Sequence, residues 1–301
     1  MKHRRHAEHP RESGDATASE HSAGVLYVIA TPIGNLKDLG QRACEVLASV
    51  DFIACEDTRH SKVLLDHLGI RRPLLSCFAQ NEAQRTPEII ARLRAGENAA
   101  IISDGGTPCI SDPGMLLVDA CHQAHIRVSP IPGPTAFAAA LSASGFSGQD
   151  AVFIGFLPRD SGPRLARLRP YLRHPGPLVL YEAPHRLSAL CDDLLALFEP
   201  ERELLIAREL SKLFEELLRL PLSAVRDWLD AQERIRGEFV LVLAPAPQRE
   251  ASVDQSKVDA VIDVLHGHGL STRAIRDVVV QLFSLRSSEV YARVLERSER
   301  K

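Results

Sequence analysis

The sequence lacks several features that define common classes of protein. Its six cysteines form no C-x-x-C pair and several lie inside apolar runs. This pattern disfavours a disulfide framework or a metal site and favours reduced, buried thiols of a cytoplasmic protein. No apolar stretch approaches the roughly 20 residues of a membrane span. Since the net charge is −3, any contact with nucleic acid must come from a local patch.

Nucleotide-binding fingerprints are missing as well. No G-x-x-x-x-G-K-[ST] sequence occurs, which argues against a P-loop kinase or ATPase. The turn after the first predicted strand reads Thr31-Pro32-Ile33-Gly34-Asn35 rather than G-x-G-x-x-G. This difference disfavours an ordinary dinucleotide-binding fold and the common Rossmann-type methyltransferase.

The first residues of the chain do not resemble a folded element or a signal peptide. Residues 1–23 carry four histidines among Arg, Glu, Ser and Asp, without an apolar core. We interpret them as a disordered tail, with a metal-binding histidine tract as the alternative.

From Gly24 onward, predicted strands alternate with predicted helices, one of which starts with Pro87 at its first position. This alternation predicts an α/β domain with a parallel sheet over residues 24–148. Residues 149–246 read as a mixed-sheet α+β domain of five strands and three helices. A Pro-Ala-Pro linker ends it. Residues 251–301 show helical periodicity only, in three helices that resemble a helix-turn-helix unit.

The most informative feature is a set of four loops at the ends of apolar, β-branched runs. These loops read Thr31-Pro32-Ile33-Gly34-Asn35, Asp104-Gly105-Gly106-Thr107-Pro108, Pro132-Gly133-Pro134-Thr135 and Glu182-Ala183-Pro184-His185-Arg186. In open α/β sheets, ligands bind where the carboxyl ends of the strands release their loops. Small or rigid residues there let a ligand approach the main chain, so we expect an extended binding site.

Two of these loops offer specific chemistry. Asp104 can accept hydrogen bonds from an amine or from ribose hydroxyls, and the glycines after it can present backbone N–H groups. A tight turn that needs positive φ is the alternative explanation for Asp-Gly-Gly. Thr135 lies at a predicted helix start, where free N–H groups favour a ligand carboxylate.

Seven motifs, in order along the chain, carry a resemblance to a known family. They are Leu26-Tyr27-Val28-Ile29-Ala30-Thr31-Pro32-Ile33-Gly34-Asn35-Leu36, Glu56-Asp57-Thr58-Arg59, Ser103-Asp104-Gly105-Gly106-Thr107-Pro108, Ser111-Asp112-Pro113-Gly114, Pro132-Gly133-Pro134-Thr135, Tyr181-Glu182-Ala183-Pro184-His185-Arg186 and Ala207-Arg208-Glu209-Leu210-Ser211-Lys212. From about Gly24 to Leu243 the chain resembles the ribosomal RNA small subunit methyltransferase I family of the tetrapyrrole-methylase-like superfamily. Gly105 departs from the alanine more usual there, and Ser161-Gly162-Pro163-Arg164-Leu165 departs from a Lys-Gly-x-Arg-Arg-like run.

The resemblance implies a two-domain tetrapyrrole-methylase-like fold that holds S-adenosylmethionine in the cleft between its α/β domains. It further implies methyl transfer to the ribose 2′-hydroxyl of a cytidine in the decoding region of 16S rRNA, usually by a homodimer. The residues expected to hold the donor are Pro32, Asp104, Gly105, Gly106, Thr107, Thr135, Ala136, Tyr181 and Ala207.

The general base stays open between two motifs. Glu56, Asp57 and Arg59 follow a strand end, where a carboxylate could take the proton and the arginine could hold a phosphate. Alternatively, Asp57 only caps a helix and pairs with Arg59. His185 is the competing base because imidazole titrates near neutrality, unless it is a solvated side chain at a helix start.

A segment rich in arginine is the candidate RNA contact. Around Pro163 the sequence places Arg159, Arg164, Arg167, Arg169 and Arg173 against Asp160 as the one acid, and Arg186 lies on a strand-end loop. A solvated helix face would explain such a run equally well, and phosphate contact is the functional alternative.

Two other functions remain open from the sequence. The same donor loops could serve a methyltransferase acting on a tetrapyrrole or another small molecule. The chain could also be a non-catalytic RNA-binding or assembly factor that keeps the fold.

Overall fold

The computed structural model describes residues 23–147, 150–247, 255–283 and 285–298. The tail predicted over 1–23 therefore lies almost wholly outside the described residues. The chain divides between Ala246 and Pro247 into two compact units. No helix among the described residues is long and apolar enough to cross a membrane.

The first half of the larger unit is built on a five-stranded parallel sheet, with spatial order β3-β2-β4-β1-β5. Its strands are β1 (Val25–Ile29), β2 (Phe52–Cys55), β3 (Leu74–Ser76), β4 (Ala99–Ile102) and β5 (Arg127–Ile131). All residues of β2 and β4 are buried because helices cover both faces of the sheet. Since β1 lies between β4 and β5, the loops after these three strands emerge side by side at one edge.

Five helices connect these strands and lead out of the sheet. They are α1 (Gln41–Ser49), α2 (Thr58–His67), α3 (Glu82–Arg94), α4 (Met115–Gln123) and α5 (Ala136–Ser144). Gly145 ends α5 in the left-handed conformation, at φ +66°, which glycine adopts without strain.

The prediction that a helix begins at Pro87 is wrong, because α3 begins at Glu82 and contains Pro87. The buried Glu82 carboxylate accepts hydrogen bonds from the backbone N–H groups of Gly114, at 3.0 Å, and Leu117, at 3.1 Å. These long-range bonds fix an extra turn before the proline. Local sequence could not indicate them because their donors lie about 30 residues further along the chain.

The second half of the larger unit is a mixed sheet with spatial order β6-β7-β10-β8-β9. Its strands are β6 (Val152–Phe156), β7 (Leu178–Glu182), β8 (Glu203–Arg208), β9 (Glu216–Pro221) and β10 (Phe239–Leu243). Only the β6–β7 pair is parallel among these described strands. One face packs on α6 (Ser161–Leu168), α7 (Leu187–Leu197) and α8 (Leu222–Asp230) in the largest apolar cluster described, and the other face packs on α5.

The smaller unit is a three-helix bundle, as the sequence predicted. It consists of α9 (Gln255–Gly267), α10 (Thr272–Phe283) and α11 (Ser287–Ser298). Its core is formed by valine and isoleucine side chains from all three helices. Ion pairs of Arg293 and Arg297 with Asp259, at 2.6 and 3.1 Å, join α11 to α9.

Any side chain at Gly114 would strain the backbone and crowd its neighbours. Its φ is +124°, and a Cβ placed there would lie 2.9 Å from both Cys109 Sγ and Ile101 Cδ1. We expect Gly114→Ala to lower the free energy of unfolding by about 2–4 kcal/mol, through backbone strain and overpacking. Gly162→Ala is the matched control, since no atom lies within 4 Å of its Cβ position. In urea unfolding, the free energy of unfolding of Gly162→Ala should equal that of wild type or slightly exceed it. Equal destabilisation by the two variants would contradict this account.

Candidate active site

A cavity of about 790 Å³ lies at the edge where the strand-end loops of both sheets meet. Its volume is in the range of small-molecule binding sites. Predicted donor-site residues in its wall are Pro32, Asp104, Gly105, Gly106, Thr107, Thr135, Ala136 and Tyr181. The structure thus brings together all but one of the residues that the sequence assigned to the donor.

Ala207 is the exception. It is fully buried in β8, where it pairs with Val240 and Leu217 and packs in the cluster that includes Ala140. The prediction that Ala207 contacts the donor is wrong because adjacent strands and α5 cover it. The motif containing it still reaches the cavity, through Leu210 and Lys212.

The loops after β1 and β4 are joined by a backbone bridge. The Thr31 amide donates to the Gly106 carbonyl at 2.8 Å, and the Gly106 amide donates to the Thr31 carbonyl at 3.0 Å. The expectation that both glycines present their N–H groups to a ligand is therefore wrong for Gly106. Its φ of +97° instead lets the loop fold back onto β1.

Asp104 links the end of β4 to the end of β2. Its Oδ1 accepts the backbone N–H of Asp57 at 3.2 Å. This bond fixes the carboxylate at the cavity wall, where Oδ2 can accept a hydrogen bond from a ligand.

The N-terminus of α5 lies in the cavity wall, through Thr135 and Ala136. The Thr107 hydroxyl donates to the Pro134 carbonyl at 3.1 Å, which fixes the approach to the helix. The Tyr181 hydroxyl accepts the Phe137 N–H at 2.9 Å. Burial raises the pKa of Tyr181, so this phenol is neutral at physiological pH. Its ring packs against Phe153 and Phe156, with centroids 4.9 and 5.6 Å away.

The structure assigns Asp57 and Arg59 to a helix start. Asp57 Oδ1 accepts the Arg59 backbone N–H at 2.8 Å, and the Arg59 guanidinium lies 3.1 Å from Oδ2. Hydrogen bonds from Arg59 lower the pKa of Asp57, which makes this carboxylate a weak base. The Arg59 side chain is 92% exposed, and neither residue lines the cavity. The capping interpretation is therefore the one that the geometry supports.

Glu56 and His185 also lie outside the cavity wall, although each is next to it. Burial raises the pKa of Glu56, and the charges of Asp104 and Asp57 raise it further. His185 is exposed in a 3-10 turn whose first residue, Pro184, lines the cavity.

The Arg186 guanidinium is bound by other groups of the protein, which argues against the predicted RNA contact. Its Nη2 donates to the carbonyls of Leu157 at 2.6 Å and Pro158 at 3.2 Å. Its Nε lies 3.1 Å from Oε1 of the buried Glu182. Arg186 thus ties the loop after β6 to the end of β7.

Arg164 is a second correction to the predicted RNA contact. Its side chain is 3% exposed, and its Nε donates to Asp193 Oδ2 at 2.6 Å. The sequence showed the arginine but not its partner, because Asp193 lies on another helix. Arg173 pairs with Glu199 at 2.9 Å but remains exposed, and Arg159, Arg167 and Arg169 are exposed as well.

Sequence reasoning missed several side chains in the cavity wall, including His60, Asp112 and Lys212. Asp112 and Lys212 stand in two of the motifs that carry the family resemblance, but the sequence predicted no role for either. Burial raises the pKa of Asp112 to about 6, helped by the charges of Glu56 and Asp104 and opposed by a hydrogen bond from Ser103.

Lys212 belongs to the short segment of residues 210–212, here called the strap, which joins the two halves of the larger unit at the cavity. Its ammonium pairs with Glu209 at 2.9 Å and Glu238 at 3.0 Å. Its side chain packs on Gly34, where a Cβ would lie 2.4 Å from Lys212 Cγ. The Ser211 hydroxyl donates to Asp38. A side chain at position 34 would therefore displace this wall of the cavity.

Residues 25–226 match the family described as Tetrapyrrole (Corrin/Porphyrin) Methylases. The chain is 42% identical over 280 residues to ribosomal RNA small subunit methyltransferase I of Pseudomonas aeruginosa, which covers 92% of this chain and 98% of that protein. The chain belongs to the ribosomal RNA small subunit methyltransferase I family. A relative of the same name from Xylella fastidiosa is 46% identical over 230 residues, or 76% of this chain and 84% of that one.

Solved structures share the fold of this family member. Uroporphyrin-III-C-methyltransferase from Thermus thermophilus superposes with a TM-score of 0.55 at 23% identity, covering 73% of this chain and 94% of that one. A structure of that enzyme complexed with S-adenyl homocysteine has a TM-score of 0.53 at 19% identity, over 73% of this chain and 97% of that chain. These likenesses confirm the predicted fold class, a parallel-sheet domain followed by a mixed-sheet domain and C-terminal helices.

Proposed function

We propose that this protein transfers the methyl group of S-adenosylmethionine to the ribose 2′-hydroxyl of a cytidine in the decoding region of 16S rRNA. The observation that carries the proposal is the cavity at the meeting edge of the two sheets, in a member of this methyltransferase family. We further propose that residues 24–148 and 149–246 act as two domains of a homodimeric cytoplasmic enzyme, with 251–301 as an accessory unit.

The residues present fit the donor. Gly105 leaves room beside the main chain, since a Cβ there would lie 3.4 Å from the Pro32 carbonyl oxygen. Asp104 offers a carboxylate to the amine or the ribose hydroxyls. The N-terminus of α5 offers its N–H groups and dipole to the donor carboxylate. S-adenosylmethionine supplies a methyl group on a positively charged sulfur, which is a reactive electrophile.

The chain's own residues then perform three tasks. The backbone bridge between Thr31 and Gly106 holds the loops after β1 and β4 in one arrangement. Tyr181 and the strap at Lys212 line the cavity as well, so its walls can hold the two reacting groups in line. A carboxylate in the wall takes the hydroxyl proton.

We propose that the exposed arginines of the segment around α6 contact RNA phosphates. Replacing Arg159, Arg167 and Arg169 by alanine should weaken binding of 16S rRNA fragments by about tenfold or more and flatten its salt dependence. Fluorescence anisotropy across a salt series would measure both effects. Arg226→Ala is the control, because this arginine lies on α8 and is paired with Asp192. Equal salt slopes for the triple variant and the wild type would contradict this assignment.

The position of the methyl group tests the proposed reaction. A 2′-O-methyl group blocks alkaline cleavage at its own phosphodiester, whereas a base methyl group does not. We expect small-subunit rRNA treated with enzyme and S-adenosylmethionine to gain one alkali-resistant linkage, at a cytidine. Labelled RNA without a new resistant linkage would contradict ribose methylation while leaving RNA methylation intact.

A further inference from the structure

Asp112 is a cavity-wall carboxylate to which neither a structural nor a donor-binding role has been assigned. It lies on the loop between β4 and α4, next to the donor loop at Asp104. A group that accepts a proton must face the space where the acceptor hydroxyl approaches. Asp112 lines the cavity, whereas Glu56 and Asp57 do not. The two glutamates that also line the cavity are each held in an ion pair, Glu182 with Arg186 and Glu238 with Lys212.

The loop holds Asp112 in one place. Cys109 and Ser111 have φ of 70° and 66°, a strained conformation for residues other than glycine. The Cys109 amide donates to the Pro113 carbonyl at 3.2 Å, and the Gly114 amide donates to the buried Glu82. Such strain persists only where the surrounding structure enforces it, and it is common at functional sites.

The same loop touches the second sheet. A Cβ at Gly155 of β6 would lie 3.1 Å from the Ser111 hydroxyl oxygen, so the loop and β6 are in close contact there. The charge of Asp112 also contributes to the raised pKa of Tyr181 on β7. Asp112 therefore lies between the donor loop of the first sheet and the Tyr181 wall of the second.

Burial is the largest cause that makes Asp112 a stronger base than an ordinary aspartate, because it raises the pKa of the carboxyl. The charges of Glu56 after β2 and Asp104 after β4 raise this pKa further, while a hydrogen bond from Ser103 lowers it. The other titratable groups that line the cavity are His60, Tyr181, Glu182, Lys212 and Glu238. Protonation of Asp112 relieves the repulsion between its carboxylate and those of Glu56 and Asp104, which favours proton uptake during the reaction.

We propose that Asp112 is the catalytic base that accepts the 2′-hydroxyl proton. This assignment rests on the proposed function. The hydroxyl oxygen forms a bond to the methyl carbon as the carbon–sulfur bond breaks. The sulfur keeps that electron pair, and the proton of the hydroxyl moves to a carboxylate oxygen of Asp112.

Asp112→Asn tests the assignment when both its kcat for methylation and its affinity for S-adenosylmethionine are measured. We expect kcat for methylation of small-subunit rRNA to fall by about 10²- to 10⁴-fold, the usual contribution of a general base. The dissociation constant for S-adenosylmethionine, measured by calorimetry, should change less than threefold. Unchanged kcat would overturn the assignment. So would a tenfold loss of donor affinity with normal kcat at saturating donor, because Asp112 would then be a donor ligand.

The pH dependence of Tm tests the assignment of Asp112 without any substrate. The pKa of an aspartate in an unfolded chain is about 3.9, and that of Asp112 in the folded protein is about 6. The folded state therefore binds more protons between these values, so this group lowers stability as pH rises through that interval. We expect Asp112→Asn to raise Tm at pH 8 and to lose this advantage below about pH 4. A lower Tm than wild type at pH 8 would contradict an electrostatically strained base.

Glu56→Gln tests whether the charge of Glu56 raises the pKa of Asp112. Without the negative charge of Glu56, the pKa of Asp112 should fall, so the acidic limb of the kcat profile should move to lower pH while activity is retained. An unmoved limb would overturn the role of Glu56. If the wild-type protein methylates no RNA at all, the proposed function fails; if it does and Asp112→Asn matches it, only the assignment of the base fails.

Discussion

Replacing Asp104 by alanine is expected to lower the affinity for S-adenosylmethionine by about 10- to 100-fold. A hydrogen bond to a charged group contributes about 1.5–3 kcal/mol, and tenfold in affinity corresponds to about 1.4 kcal/mol. Asp104 is fixed in the cavity wall by the Asp57 amide, so its remaining oxygen is preorganised for the donor. Isothermal titration calorimetry would measure the change.

Asp104→Asn separates the charge from the position of the oxygen. The amide oxygen can still accept the Asp57 N–H, and the loop should keep its shape. We expect an affinity loss smaller than that of Asp104→Ala, because the amide oxygen still accepts a hydrogen bond but carries no charge. If both variants bind the donor within twofold of wild type, Asp104 has no part in donor binding.

Replacing Arg164 by alanine is expected to lower the free energy of unfolding by about 3–5 kcal/mol. The change leaves the Asp193 carboxylate, 13% exposed, without its charged partner, and breaking one side of a buried ion pair has a cost of this size. Ser161 donates to the other oxygen of Asp193 at 2.7 Å and cannot neutralise it. Urea unfolding with a single two-state fit would measure the loss.

Arg167→Ala is the matched control, because Arg167 lies on the same helix and is exposed. Its unfolding free energy should stay within about 0.5 kcal/mol of wild type. The affinity for RNA should change in the opposite way. Arg167→Ala should bind RNA more weakly than wild type, and Arg164→Ala should bind it with unchanged affinity at a temperature where this variant is folded. Equal destabilisation by both variants would mean that the buried pair has no special role.

The sequence was sufficient for the features that depend on local pattern. Apolar runs such as those of β1 and β4 predicted the buried parallel strands, and the loops after them predicted the edge where the cavity lies. The carboxyl ends of parallel strands meet at one edge of a sheet. The sequence therefore predicted that Asp104 and Thr135, which follow two such strands, lie close together.

Long-range partners account for the predictions that were wrong. Arg164 reads as a surface charge because Asp193 is 29 residues away, and α3 extends beyond Pro87 because Glu82 bonds to the start of α4. Ala207 was misplaced because a single sequence does not reveal what surrounds a strand in the fold: β10 and β9 flank Ala207, and Ala140 of α5 belongs to the cluster that buries it. Asp112 was overlooked because Asp-Pro-Gly is typical of turns.

Transfer of a labelled methyl group from S-adenosylmethionine tests the central claim most directly. Purified protein would be incubated with small ribosomal subunits, with naked 16S rRNA and, as a separate acceptor, with a tetrapyrrole. We predict label in small-subunit rRNA, at a single cytidine and on its ribose, and none in the tetrapyrrole. Label in the tetrapyrrole alone, or donor binding without transfer to any RNA, would contradict the account.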